Sequence, residues 1–215
     1  MNKAFFLVLV GVLIDSEPVW QQVEKPMLER VVGKEVADRI GSSIGLNATQ
    51  VFEKARQLDA SVRSEDVVAG YAALEPEVYS HAPITAGVDA LIDTLASNGF
   101  RIGLVTQPAQ SAIDIVLQRI ASAAKIDRTL SLFQHPQLRP KPEPDGYIDI
   151  LREFTADPKH SCILEDSNTG IRAAHAAGAF VIGFRGNLIE GYEQTGADQY
   201  AESIEDVARI VLGVY

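Results

Sequence analysis

The sequence contains a single cysteine, Cys162, so the chain cannot form an intrachain disulfide. Its stability must come from a packed core, and 47% of its 215 residues are hydrophobic, which is enough to build one. Cys162 itself lies in an apolar run typical of a strand. We interpret it as a core residue rather than a reactive thiol. The shortage of cysteine fits a reducing compartment, so we expect a cytoplasmic protein.

Positive charge is also scarce. The chain has 19 lysines and arginines against 29 aspartates and glutamates, which gives a formal net charge of −10. Nucleic acids and anionic membranes are bound through basic surfaces, so both are disfavoured as partners. A small phosphorylated metabolite remains a candidate ligand because it needs only a local positive pocket. The sequence indicates no particular protein partner.

A long hydrophobic run is missing as well. The apolar stretch at residues 4–14 has eleven residues, whereas a transmembrane helix needs roughly 20. It follows Lys3 and so has the basic start of a signal peptide, but acidic residues and Pro18 come after it instead of a small-x-small cleavage site. We therefore predict that residues 4–14 form a buried parallel strand.

From residue 84 onward, apolar strand-like segments alternate with amphipathic helical segments. This alternation is typical of an α/β fold in which helices cover both faces of a parallel sheet. Ligands of such sheets bind at the carboxyl ends of the strands. Strands are predicted at residues 100–105, 130–133, 162–164 and 181–184, and helices around residues 88–97, 113–120, 144–154 and 170–177.

Residues 16–82 interrupt this alternation directly after the first strand. They contain no convincing strand, and their apolar residues cluster at helical spacing. We therefore predict a core domain made of residues 1–15 and 83–215, with a helical cap domain inserted at residues 16–82. A cap that closes over the strand ends would exclude water and carry specificity.

Three polar motifs follow strands of the predicted sheet. The first is Thr106, which ends the run Gly-Leu-Val-Thr; a hydroxyl there can bind a ligand or simply cap the next helix. The second is Lys141 in Arg-Pro-Lys-Pro-Glu-Pro-Asp, where prolines on both sides stiffen the loop that carries the ammonium. The alternative for Lys141 is a solvated loop lysine.

The third motif is Glu165-Asp166, which ends an apolar run and precedes Ser-Asn-Thr-Gly and a helix rich in small residues. Two carboxylates at a strand end suit a hard cation such as Mg²⁺. The alternative is that Asp166 or Ser167 only caps the helix.

Together these motifs, in this order and spacing, resemble the haloacid dehalogenase (HAD) superfamily, and within it the cap-bearing phosphatases and β-phosphoglucomutases. The resemblance covers the core and implies a Rossmannoid three-layer α/β domain with an inserted helical cap of the C1 type. It also implies a phosphatase or phosphomutase of small phosphorylated metabolites, often sugar phosphates, that uses Mg²⁺. In the family, residues matching Thr106 and Lys141 bind the phosphoryl group, and residues matching Glu165 and Asp166 hold the metal.

One motif of the family is broken. Its first strand ends in Asp-x-Asp-Gly, and the matching residues here are Val8, Val10 and Gly11. In the family the first aspartate attacks phosphorus and ligates the metal, while the second is the general acid/base and ligates the metal through its backbone carbonyl. The side chain of Val8 offers neither a nucleophile nor a ligand, and Val10 retains only its carbonyl oxygen. Loss of a nucleophile can lower the rate by roughly 10⁴- to 10⁶-fold.

What remains of the site predicts an anion-binding pocket rather than a catalyst. The backbone N–H groups around Gly11, the Thr106 hydroxyl and the Lys141 ammonium are candidate phosphate ligands. Binding of Mg²⁺ through Glu165, Asp166 and the Val10 carbonyl should be weak or absent.

In the cap, residues 41–47 resemble a substrate-contacting loop of β-phosphoglucomutase-like proteins. This similarity makes Gly45 and Asn47 candidate contacts with the substrate. A plain helix-helix turn is an equally good interpretation of the same string.

Three hypotheses about function follow from the sequence. In the first, the chain is a pseudo-enzyme that binds a phosphorylated ligand or a protein partner. In the second, it is an active-site variant of an active Mg²⁺-dependent sugar-phosphate phosphatase. The third hypothesis is a weak hydrolase with a water nucleophile and the Glu165 and Asp166 carboxylates.

Overall fold

The computed structural model describes residues 2–41, 43, 46 and 48–214. The chain consists of two compact units, Met1–Asp15 with Pro83–Tyr215 and, separately, Ser16–Ala82. The first unit contains the sheet and the second is helical. None of the helices formed by these residues is long and apolar enough to cross a membrane.

The first unit is built on a six-stranded sheet in the order β3-β2-β1-β4-β5-β6, and every pair of neighbouring strands is parallel. The α/β prediction is therefore confirmed. The strands are β1 (Lys3–Leu7), β2 (Phe100–Thr106), β3 (Arg128–Ser131), β4 (Ser161–Glu165), β5 (Phe180–Phe184) and β6 (Gln199–Ala201).

Helices cover the sheet because its strands are apolar on both faces. The core helices are α5 (Val88–Ser97), α6 (Gln110–Leu117), α7 (Asp145–Phe154), α8 (Asn168–Ala176) and α9 (Ile204–Val214). Ala4 and Phe6 of β1 face one side and pack with residues of α7 and α8, among them Tyr147 and Ile171. Elsewhere on this unit, α5 packs against β2, and α9 packs against α5.

The predicted length of the first strand is wrong. It ends at Leu7, and residues 8–14 form a turn in which the N–H groups of Leu13 and Ile14 both donate to the Leu9 carbonyl oxygen. Gly11 makes this turn possible because its φ of 78° lies in the left-handed region. Most of the apolar run is therefore buried as predicted, but only its first four residues, 4–7, are strand.

Two elements at the C-terminal end of the core were not predicted. The strand β6 has only three residues and includes the polar Gln199, so it lacks a strand-like apolar pattern. The helix α9 is amphipathic and buries Ile204, Val207 and Val211. The predicted strand at residues 130–133 is shifted, since β3 ends at Ser131 and a 3₁₀ turn follows it.

The second unit is an all-helical cluster. Its helices are α1 (Glu17–Val32), α2 (Lys34–Ile40), α3 (Ala48–Leu58) and α4 (Ser64–His81). Its core includes Met27, Phe52 and Tyr71, and the partly buried Trp20 packs on it with its ring centroid 5.5 Å from that of Tyr71. The Glu24 carboxylate accepts hydrogen bonds from the hydroxyl groups of Tyr71 and Ser43.

Candidate active site

The candidate site lies at the carboxyl end of β1. This strand lies between β2 and β4, and Leu7 pairs with Leu104 while Phe6 pairs with Ile163. Because all three strands are parallel, the residues that follow Leu7, end β2 and end β4 meet at one edge of the sheet. The sheet topology thus brings Val8, Thr106 and Glu165 to the same edge.

The two valines begin the turn that follows β1. Val8 is buried, with 3% of its surface exposed, and Val10 is half-buried. Val10 forms an isolated bridge with Ile14, which closes the turn. At position 8 the site therefore presents a buried aliphatic group.

Gly11 is enclosed by the same turn. Its N–H donates to the Ile14 carbonyl oxygen at 2.9 Å, so in this conformation that N–H is not available to an anion. The Asp166 carboxylate lies against its Cα, and a Cβ on Gly11 would be 2.1 Å from Asp166 Oδ2. Asn187 donates from Nδ2 to the Gly11 carbonyl oxygen at 3.3 Å and to the Thr85 hydroxyl at 2.7 Å.

Thr106 is the last residue of β2 and is buried, with 3% exposed. It does not cap the following helix, because α6 begins at Gln110 after Ala109 and has no side-chain cap. That alternative is therefore wrong, and Thr106 is a buried residue at the edge of the sheet, next in sequence to Val105, whose carbonyl oxygen Lys141 contacts.

Lys141 reaches into the site rather than into solvent. Its side chain is 13% exposed, its ammonium forms an ion pair with Glu165 Oε1, and it lies 3.4 Å from the Val105 carbonyl oxygen. The alternative of a solvated loop lysine is therefore wrong. The loop is braced by Arg139, whose guanidinium donates to both oxygens of Asp145 and lowers the pKa of that carboxyl to about 2.

Glu165 is the most enclosed carboxylate of the site, with 1% of its side chain exposed. Besides Lys141, Oε1 accepts a hydrogen bond from the Tyr147 hydroxyl at 2.6 Å, and Oε2 accepts one from the Ser167 hydroxyl at 3.2 Å. A Cβ on Gly170 would be 2.0 Å from this carboxyl group, so the first turn of α8 lies directly on it.

Asp166 is the second acid of the motif. The residue is half-buried, and its carboxyl group lies against the Cα of Gly11. Burial and the neighbouring Glu165 raise the pKa of Asp166 to about 7, and Lys141 acts in the opposite direction. The capping role belongs to Ser167, whose hydroxyl accepts from the Gly170 N–H at 3.0 Å.

The candidate metal ligands, Glu165, Asp166 and the Val10 carbonyl oxygen, do not fit a Mg²⁺ site. Magnesium requires six oxygen ligands in octahedral geometry and is usually held by one or two carboxylates together with water and substrate. Here Glu165 is engaged by Lys141, Tyr147 and Ser167, which leaves Asp166 and the backbone. Within the described part of the chain, no group of three or more His, Cys, Asp or Glu residues could hold a metal ion.

Sequence reasoning missed two contributors to this region. Nothing in the sequence marks Tyr147 as part of the site except its position two residues after Asp145. Its role depends on the contact between α7 and the end of β4. Gln194 follows β5 and donates from Nε2 to the carbonyl oxygens of Glu165, Asp166 and Phe184, at 2.8–3.2 Å. It thereby ties the loop after β5 to the acidic motif.

A cavity of about 420 Å³ lies in that loop, and neither Val8 nor Val10 lines it. It is lined by Arg185, Leu188 and residues 192–195. None of the candidate catalytic residues lines it, so the candidate active site lies at the strand ends and not in this cavity. The proposed cap contacts Gly45 and Asn47 lie outside the described residues.

Comparison with known proteins identifies the family of this chain. Residues 9–184 match the model of the haloacid dehalogenase-like hydrolase family. Hexitol phosphatase B of Escherichia coli is 28% identical over 172 residues, which span 78% of this chain and 76% of that protein. The (DL)-glycerol-3-phosphatase 1 of Arabidopsis thaliana is 22% identical over 91% of this chain and 68% of its own length.

Solved structures show the same fold. A HAD hydrolase of family IA from Entamoeba histolytica superposes with a TM-score of 0.76 at 20% identity, covering 100% of this chain and 99% of its own. A HAD family hydrolase from Deinococcus radiodurans, solved with bound phosphate and sodium, gives a TM-score of 0.74 at 20% identity over 99% and 96% of the two chains. From the sheet, the ordered motifs and the family match over residues 9–184, this chain belongs to the haloacid dehalogenase-like hydrolase family.

Proposed function

We propose that this protein is a pseudo-enzyme. It has the phosphatase scaffold of its family and binds a phosphorylated small molecule, but it does not catalyse phosphoryl transfer. The observation that carries the proposal is Val8. Its buried aliphatic side chain follows β1, between the strand ends that carry Thr106 and Glu165. An aliphatic group has no lone pair with which to attack phosphorus, so the covalent route is closed.

Two kinds of observation support this class of ligand. The relatives with assigned activities include a hexitol phosphatase and a glycerol-3-phosphatase, whose substrates are small phosphorylated molecules. On this chain, the hydroxyl of the buried Thr106 and the Lys141 ammonium are candidate donors to an oxyanion. An anion would compete with Glu165 for Lys141, so we expect binding weaker than in an intact family site. Magnesium binding should be weak or absent for the same reasons.

The test is Mg²⁺-dependent release of phosphate from an aryl phosphate. We expect no measurable turnover by the chain as it stands, and activity after the double change Val8→Asp, Val10→Asp. The matched control is Val8→Asn, Val10→Asn, which has the same shape and polarity but no nucleophile, and it should stay inactive. Robust activity of the unaltered chain, abolished by removing Mg²⁺, would overturn the proposal.

A second candidate is a weak hydrolase or an active-site variant of a sugar-phosphate phosphatase. The observation in its favour is Asp166, whose pKa of about 7 would let its carboxylate accept a proton from water near neutral pH. Activity of the unaltered chain that is lost on Asp166→Asn would select this candidate. Inactivity of both the chain and the double aspartate variant would place further decay elsewhere in the site and favour the pseudo-enzyme.

A further inference from the structure

The Glu165 carboxylate has a complete set of partners within the protein. Oε1 receives the Lys141 ammonium and the Tyr147 hydroxyl, and Oε2 receives the Ser167 hydroxyl. The Ser167 N–H also points to Oε2 at 3.4 Å. A carboxylate offers about four lone-pair positions, so this set leaves none directed at an additional cation.

Among these partners of Glu165, Tyr147 is a buried residue of the helix α7. The residue is 1% exposed and its ring lies 6.5 Å from that of Phe6, so packing fixes its position. Burial, together with the Glu165 charge, raises the pKa of Tyr147 well above its usual range. The phenol therefore stays protonated and donates its hydrogen to Glu165.

Lys141 is held by the same residue. Its ammonium lies 5.0 Å from the centroid of the Tyr147 ring and also contacts the Val105 carbonyl oxygen. Tyr147 thus touches both members of the ion pair, one through its hydroxyl group and one through its ring. Because both members are largely removed from water, their positions depend on such contacts.

We infer that Tyr147 is a positioning residue that, with Lys141, makes Glu165 an internal anchor and keeps this carboxylate from serving as a ligand of a divalent cation. This inference rests on the proposed function, which locates the site, and it adds a reason why that site binds a divalent cation poorly. Loss of the two aspartates then explains only part of the poor magnesium site. The other part lies in the Tyr147–Glu165–Lys141 network, which would persist if the aspartates were restored.

The test measures Mn²⁺ binding by the loss of the free-ion EPR signal. The proteins are the unaltered chain, Tyr147→Phe, the Val8→Asp, Val10→Asp variant, and that variant with Tyr147→Phe added. Removing only the hydroxyl keeps the ring and its packing. We expect no binding by the unaltered chain at ~1 mM Mn²⁺, a range in which weak oxygen-ligand sites already fill. Adding Tyr147→Phe to the double aspartate variant should tighten Mn²⁺ binding roughly ten-fold, the size of effect seen when outer-shell partners change.

Tighter binding is the diagnostic result, because a tyrosine that only supports the fold would leave Mn²⁺ affinity unchanged or reduce it. Unchanged or weaker binding by the triple variant overturns the inference. Binding of Mn²⁺ by the unaltered chain at concentrations well below ~1 mM would also overturn the inference. This measurement does not depend on whether any variant folds. The aryl phosphate assay on the same proteins separates the two proposals, since turnover by the unaltered chain contradicts the proposed function alone.

Discussion

The Asp166 carboxylate lies directly against the Cα of Gly11, and a Cβ at Gly11 would be 2.1 Å from Asp166 Oδ2. The turn after β1 and the acid after β4 therefore touch across the edge of the sheet. This turn also carries Val8 and Val10, so the Asp166 carboxylate packs against the segment that we propose has lost the two aspartates of the family.

Replacing Gly11 with alanine should destabilise the protein strongly. The φ of 78° disfavours any side chain by ~1–2 kcal/mol, and overlap with the Asp166 carboxylate should add a further ~1–3 kcal/mol. Urea unfolding of both proteins would measure the difference.

Gly99→Ala is the matched control for that change. Gly99 has a φ of 77°, but no atom lies within 4 Å of the position that a Cβ would take, so this variant should show the backbone cost alone. Equal losses for the two variants would contradict the contact with Asp166.

Placing an aspartate at position 8 should lower the stability of the protein in the absence of metal. Val8 is 3% exposed and directly follows β1, which pairs with the strand that ends at Glu165, so a carboxylate there would be buried on the side of the sheet edge that carries another acid. We expect a loss on the order of 3 kcal/mol at pH 8 for Val8→Asp, and a smaller loss at pH 5, where the new acid can stay protonated. Unfolding in EDTA would measure both values.

Val8→Asn controls for the loss of apolar packing at this site. The amide has the size of the acid but no charge, so its cost should not change between pH 5 and pH 8. A Val8→Asp protein that is more stable than the unaltered chain would refute the prediction.

Asp166 should make the stability of the protein fall as the pH rises. Its pKa is about 7 when folded and near 4 when unfolded, so between these values the folded state holds a proton that the unfolded state has released. The contribution of the protonated acid is complete below pH 4 and is lost as the pH passes through about 7, at no more than ~1.4 kcal/mol per pH unit. The charged groups that face it are Glu165 and Lys141.

Asp166→Asn removes this titration, so the stability of the variant relative to the unaltered chain should increase as the pH rises from 5 to 8. Urea unfolding midpoints in EDTA would measure the difference. Asp145→Asn is the control, because the pKa of Asp145 is lowered to about 2 and its effect should be constant over that range. A parallel pH dependence of the Asp166→Asn variant and the unaltered chain would show that Asp166 is not the titrating group.

Alanine at Gly170 should be destabilising although alanine favours helices. Gly170 lies in the first turn of α8, where a Cβ would be 2.0 Å from the Glu165 carboxyl group. The helix preference of alanine is worth ~1 kcal/mol, and displacing a buried carboxylate from its partners should cost several times that. We expect a clear loss in thermal stability.

The helical control is Gly213→Ala in α9. No atom lies within 4 Å of a Cβ at Gly213, so alanine should raise stability by up to ~1 kcal/mol. Opposite signs at the two glycines are the expected result, and a stabilising Gly170→Ala would contradict the packing of Glu165 against α8.

The sequence by itself determined the class of the fold and the family. Apolar periodicity is a local property, so the alternation of strands and helices after residue 84 predicted a parallel sheet, and the motifs at Thr106, Lys141 and Glu165 indicated the family. The same local information overextended β1, because a continuous apolar run looks alike in a strand and in a buried turn. It missed β6, which is too short and polar to show a pattern.

Tertiary structure alone decided how the polar groups at the strand ends are used. Lys141, Tyr147 and Glu165 come from a loop, a helix and a strand, and their contacts depend on how α7 packs over the sheet. The Asp166 carboxyl and Gly11 are far apart in the sequence and meet only because β1 and β4 are neighbours. A sequence states which donors and charges are present, whereas their hydrogen-bond partners and burial depend on distances between elements that only the packed chain defines.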